Sequence, residues 1–198
     1  MGVDIHGWVE VRDRSTERWH GIVFIDHLVS RTYDAFGCLF GVRNDAHFRP
    51  LAQGRGLPAD VSDEARQLAY TQMLVPTWIG WSAIKAMDRE ESAKHPDARL
   101  RPFFRQPDGS LVAGNGKALV PRLTNYPSAY PGPLVDDPNL PIFEPAQEWE
   151  IDSVIWRTET LRRKDAFDAP WRALFRMMET MADAVGEHDV RLVVWFDA

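Results

Sequence analysis

The sequence predicts an α+β fold: a mainly antiparallel sheet holding an N-terminal hairpin and the C-terminal strand, helices on one face, and a long, ordered Pro-rich loop. Three observations predict it. Residues 3–11 alternate at period two, with Val3, Ile5, Gly7, Val9 and Val11 on one side and Asp4, His6, Trp8 and Glu10 on the other. Residues 190–197 repeat that two-face pattern, Val190, Leu192, Val194 and Phe196 alternating with Arg191, Val193, Trp195 and Asp197. Between them, Trp171, Leu174, Phe175, Met178, Met181, Ala182 and Val185 form a single helical stripe.

Strand 3–12 is followed by the polar turn 13–17 and a return strand from Trp19 to Ile25. Tyr33, Phe36, Leu39 and Phe40 keep helical spacing, and Gly41 stands where a helix stops. Residues 44–61 read as irregular. Ser62 caps a helix with Asp63 and Glu64 in its first turn, favourable against the helix dipole, and that helix ends before Pro76. A further helix is expected from Trp81 to about Lys94, stopped by Pro96. Three short strands follow, 103–106, 110–113 and 117–120, separated by Pro107-Asp108-Gly109 and Asn115-Gly116.

Residues 121–148 carry Pro121, Pro127, Pro131, Pro133, Pro138, Pro141 and Pro145, which forbid regular structure over most of their length. Tyr126, Tyr130, Leu134, Ile142, Phe143 and Trp149 are too apolar for disorder, so the segment reads as an ordered loop packed over a sheet face. Asp168 caps the last helix, Pro170 sits in its first turn, and Gly186 ends it. No internal repeat or clean linker divides the chain, so residues 1–198 are expected to form a single domain.

A chain of 198 residues can bury roughly 70% of its unfolded surface, so no disulfide or metal is required for folding. The lone Cys38 excludes an intrachain disulfide and any Cys-based zinc site, and fits a reducing cytoplasm. No signal peptide and no apolar run near 18 residues is present, so a cytoplasmic protein with no membrane partner is expected. The net charge of −6 has the wrong sign for a general nucleic-acid binder, so nucleic acid is disfavoured as a partner.

Asp4 and His6 stand two residues apart on one strand face, which brings them out side by side about 7 Å apart. They read either as an acid/base pair or as two ligands of a divalent metal, with Asp197 as a third if the two terminal strands lie antiparallel. The alternative is a turn-capping Asp4 and a satisfied structural His6. Arg31, Tyr33, Asp34, Arg43 and Arg55 could form an anion-binding patch, since arginine suits bidentate recognition of phosphate or carboxylate. Equally, Arg31 and Arg43 could pair with Asp34 and Asp45 and only tie down loops. Gly114-Asn115-Gly116-Lys117-Ala118 fails as a phosphate loop because Ala118 replaces the required Ser or Thr. Neither a Gly-x-Ser-x-Gly elbow nor a His-Glu-x-x-His motif is present.

The opening Met-Gly-Val-Asp4-Ile-His6 resembles a family of uncharacterised bacteriophage and prophage proteins that begin Met-Gly-x-Asp-Ile-His. The likeness continues through Arg31-Thr-Tyr-Asp-Ala-Phe36, Gly41-Val-Arg43-Asn44, Arg55-Gly-Leu-Pro58, Asp60-Val-Ser62, Trp78-Ile79 and Val190-Arg-Leu-Val-Val-Trp-Phe-Asp197. It spans about the first 85 residues and the closing strand; residues 96–188 do not share it. The family pattern places a polar, His-containing segment before Trp78, where this chain has Met73-Leu74-Val75-Pro76-Thr77. The resemblance implies a phage accessory protein made in the bacterial host cytoplasm. The expected function is binding of a host protein or a small anionic molecule, with blunting of host defence as the context. The alternative is a small metal- or acid/base-dependent hydrolase built on Asp4 and His6. Composition and spacing specify no cofactor, no metal and no oligomeric state.

Overall fold

A computed structural model of the chain describes residues 2–69, 74–124, 137 and 139–197. Its first sheet is antiparallel throughout. Strands Asp4–Asp13 (β1) and Arg18–Phe24 (β2) make the expected hairpin, and Val190–Asp197 (β8) lies along the other edge of β1. Leu74–Gly80 (β3) completes the order β2-β1-β8-β3. The first and last strands therefore share a sheet, in the register Asp4 opposite Asp197 and Val11 opposite Val190.

One face of this sheet carries Ile5, Val9, Leu192, Val194 and Phe196, all buried in the larger core. Helix Tyr33–Phe40 (α1) packs there and stops at Gly41, whose φ of 74° is a left-handed conformation that glycine adopts without a Cβ clash. Helix Ala169–Val185 (α5) covers the same face. Asp168 caps it, accepting a hydrogen bond from the Trp171 amide at 3.2 Å, and Trp171, Leu174, Phe175 and Met178 are buried as the stripe requires.

The opposite face is not left to solvent. Trp8, Trp78, Val193 and Trp195 point there and meet Leu57, Val61 and Ala65. Ala65 belongs to helix Asp63–Ala69 (α2), where the Ser62 hydroxyl accepts from the Ala65 amide at 3.2 Å. So α2 lies across the sheet from α1 and α5, where all helices were expected on one face. Trp8 and Trp78 together with Val193 and Trp195 give the middle of this face an apolar patch too large to stay wet.

A second antiparallel sheet has the order β5-β4-β7-β6, from Arg101–Arg105 (β4), Leu111–Ala113 (β5), Glu148–Ile151 (β6) and Val154–Arg157 (β7). The expected strand at 117–120 reduces to a single bridge between Leu100 and Ala118. The expected helix at 81–94 ends early, as Trp81–Lys85 (α3). Past it the Asp88 carboxylate accepts from the Glu90 amide at 2.9 Å, and the Ala93 amide donates to the Leu161 carbonyl at 2.8 Å. These bonds compete directly with helical ones. Of the Pro-rich loop, Pro121–Thr124 (α4) is one helical turn, and its middle, 125–136 and 138, lies outside the described residues.

Candidate functional site

The register of β1 against β8 sets Asp4 opposite Asp197, His6 opposite Trp195, Trp8 opposite Val193 and Glu10 opposite Arg191. All eight side chains belong to one face of the sheet, because position parity is preserved along both strands. The row holds two polar clusters. Asp4 and His6 stand near one end and Glu10 and Arg191 near the other, with His6 and Glu10 about 13 Å apart along the strand.

At the first cluster His6 Nδ1 lies 2.6 Å from Asp26 Oδ2. Asp26 follows β2, and the Ile25 amide donates to the Gly7 carbonyl at 3.0 Å, which carries the next residue beside His6. His6 Nε2 is 3.1 Å from Asp197 Oδ2, yet it makes no aligned hydrogen bond and has no exposed surface. That contact is therefore electrostatic. The imidazole stacks on Trp195 at 6.4 Å between ring centroids. Asp4 is held by Arg31 in a two-pronged pair, Nε to Oδ1 at 2.7 Å and Nη2 to Oδ2 at 2.5 Å, and its amide donates to Asp197 Oδ1 at 3.2 Å. The Arg31 hydrogen bonds hold the Asp4 carboxyl below the usual carboxylate range.

Burial opposes charge on His6, but hydrogen bonding to Asp26 and the nearby Asp197 carboxylate together outweigh it and raise its pKa above 6.5. The imidazolium is thus favoured and acts as a cross-link between β1, β8 and the segment after β2. A raised folded-state pKa stabilises fully below the unfolded value of 6.5, and the contribution fades as pH rises through the folded pKa. The melting temperature of wild type relative to His6→Gln should accordingly be highest in mild acid and fall above neutrality. Parallel melting curves across that window would mean that His6 is neutral throughout.

Asp197 meets His6, as the candidate site requires, and Asp26 joins them. Asp34 does not. It pairs instead with Arg99 and with Lys117 at 3.1 Å, in a cluster with Asp97 and Asp45. Burial pushes the Asp45 carboxyl up to about 6 despite the facing Arg99 guanidinium. Tyr33 uses its hydroxyl to accept from the Val3 amide at 3.1 Å. Arg43 follows α1, with φ of 50°. Among the sequence-predicted anion-binding residues, then, Arg31 sits with Asp4, Asp34 in the Arg99 cluster, and Arg55 elsewhere. Among the described residues no group of three or more His, Cys, Asp or Glu side chains is arranged to hold a metal ion.

Arg55 belongs to the second cluster. Its guanidinium lies 5.3 Å from the Trp78 ring centroid and donates to two backbone carbonyls, Leu51 at 2.8 Å and Trp78 at 3.3 Å. Beside it Arg191 stacks 3.8 Å over Trp19 and donates to Glu10 at 2.7 Å and to Asp60 at 2.8 Å. Trp19 Nε1 also donates to Asp60, at 2.9 Å, and although burial opposes it the Arg191 hydrogen bond keeps Asp60 below its usual pKa. These groups wall a cleft of about 560 Å³, closed by Leu57, Pro58 and Gly80. Arg191 is fully matched by carboxylates. Arg55 is not: among the described residues no carboxylate pairs with it.

No protein-family model matches the chain, and neither the curated proteins nor the solved structures yield a match.

Proposed function

We propose that this chain is a phage-derived accessory protein that binds a small anionic ligand, with the Trp19–Arg55–Trp78–Arg191 cleft as its seat. One observation carries the proposal: the Arg55 charge faces the cleft with backbone carbonyls, and no carboxylate, as its hydrogen-bond partners. A guanidinium held over an aromatic ring is well placed to take a carboxylate or phosphate in a two-pronged pair. The volume is in the range of small-molecule sites. Support also comes from the segments that carry the resemblance to phage proteins. Arg55, Leu57, Pro58, Asp60, Trp78, Val190 and Arg191 are scattered along the chain, yet all line this cleft.

The hydrolase alternative draws on the Asp26–His6 pair, an arrangement that orients a general base. It is the weaker of the two, because Nε2, the nitrogen that would take the proton, is covered and already faces Asp197. Tryptophan fluorescence gives a direct test, since Trp19 and Trp78 line the cleft. Titration with a panel of small carboxylates and phosphate esters should find a quenching ligand. Arg55→Ala should then bind it at least tenfold more weakly, about 1.4 kcal/mol, with an unchanged melt. Equal affinity in the variant would remove the cleft from consideration.

A further inference from the structure

A second concave site lies between α3 and α5, over the sheet face opposite the cleft. Its floor is formed by Trp81 and Phe175, and its volume is about 330 Å³. Helical spacing puts Arg172, Phe175, Arg176 and Glu179 on one face of α5. Lys85, at the end of α3, and Arg89, just beyond it, close the opposite wall.

Ordinary surface charge would be paired here, and the neighbouring cations are. Glu90 takes both Arg162 and Lys164, and Glu91 takes both Arg163 and Arg49. Lys85 is matched by Glu187. Arg172 bonds only the Phe167 carbonyl. Arg89 and Arg176 have no side-chain partner among the described residues, although Glu90 is next in sequence to the first and Glu179 one turn from the second. With Lys85 matched by Glu187, the lining arginines Arg89, Arg172 and Arg176 face one lining carboxylate, Glu179, an excess of two positive charges within the hollow itself. Asp168 and Asp183, near Arg172 and Lys85, lie outside its lining. The helix gains nothing from this. Arg172 and Arg176 are like charges at i and i+4, and Arg172 stands near the positive end of the helix dipole. In a chain of net charge −6, that concentration calls for an anion.

We propose that the α3–α5 hollow is a binding site for a phosphorylated small molecule, held by Arg89, Arg172 and Arg176. A phosphate group near neutral pH carries close to the two negative charges the hollow lacks, and it presents three acceptor oxygens. Guanidinium forks match those oxygens in pairs, whereas a lone carboxylate would satisfy only one of the three arginines. The aromatic floor is buried, so recognition falls on the phosphate rather than on the group esterified to it. The site is independent of the Arg55 cleft, because it shares no side chain with it.

The test is calorimetric titration of the full chain with inorganic phosphate and, separately, with adenosine monophosphate. The two arms distinguish free phosphate from a phosphate ester. Binding of either probe supports the site if Arg89→Gln/Arg176→Gln weakens it at least tenfold while Arg105→Gln, at an exposed arginine of β4 that lines neither hollow, leaves it unchanged. Arg176→Lys, which keeps the charge but loses the fork, should fall between wild type and the double variant. Thermal melts confirm that the exposed substitutions leave the fold intact. The proposal is overturned if neither probe binds, or if the double variant binds as tightly as wild type. It is also overturned if a poly-glutamate peptide binds this face and the two phosphates do not, since the hollow would then be a docking surface for an acidic protein.

Discussion

Replacing Gly7 by alanine is expected to destabilise the protein by about 3–5 kcal/mol, a large share of the total stability of an ordinary domain. Gly7 sits between His6 and Trp8, opposite Val194, with a φ of 155°. A Cβ built there would lie well inside van der Waals contact distance of the Val193 carbonyl oxygen and 2.9 Å from the Val194 Cα. Both neighbours are backbone of the central strand, so neither can swing aside. Overpacking of this kind costs about 1–3 kcal/mol, and a φ that residues with a Cβ rarely adopt adds about 1–3 kcal/mol. Chemical denaturation of Gly7→Ala checks this directly. A loss below 1 kcal/mol would show that β1 can back away from β8, and that the His6–Asp197 contact is loose as well.

The second large effect is expected at Arg191, whose removal should cost about 3–5 kcal/mol. Glu10 is fully buried and Arg191 nearly so, and the two carry opposite charges 2.7 Å apart. Glu10 also accepts from the Ser62 amide at 3.0 Å, so the pair ties the sheet to the start of α2. Arg191→Met keeps much of the side-chain volume but leaves the Glu10 carboxylate buried without a counter-charge. Truncating one partner of a buried pair is far more costly than replacing both. Glu10→Leu/Arg191→Met should therefore recover much of the stability lost in Arg191→Met alone. If the double variant melts no higher than the single one, the pair is not the source of the loss. Both variants should disturb the ligand cleft, since Arg191 forms its stacked wall.

Much of the first sheet was legible in the sequence because period-two alternation is strong where both faces are filled. Val3 to Val11 and Val190 to Phe196 announced not only two strands but their two faces, and the observed register joins Asp4 to Asp197 as that alternation allows. The capped and Gly-terminated helices were equally plain. β3 was hidden by Pro76, which reads as a helix stop. It is tolerated because β3 is an edge strand and its ladder is interrupted between Leu74 and Thr77, with Val75 at a φ of 48°. The β6–β7 hairpin was hidden for a different reason. Its two-residue turn is Asp152-Ser153, both at positive φ, where glycine would have given the usual signal.

Half of the His6 cluster could be foreseen. Asp197 followed from the strand alternation, whereas Asp26 lies after a strand end whose position depends on a single hydrogen bond, Ile25 amide to Gly7 carbonyl. The cleft could not be read at all. Trp19, Arg55, Trp78 and Arg191 come from four separate segments, and no periodicity links residues that meet only after the sheet has formed.

The place of β8 in the sheet sets the order in which the fold can assemble. It joins β1 to β3, so that Asp4 pairs with Asp197 and Trp78 with Val193. Each of these ladders closes a loop on the order of 100 to 200 residues, whose entropy is lost before the contacts repay it. The β1–β2 hairpin can form locally, but until residues 190–197 arrive its inner edge offers unpaired amides and carbonyls, flanked by Ile5, Trp8 and Val9. Nascent or refolding chains should accordingly pass through a slow, aggregation-prone stage typical of non-local β topologies. At that stage, a free β8-like strand from a second molecule is the natural competitor for the vacant edge.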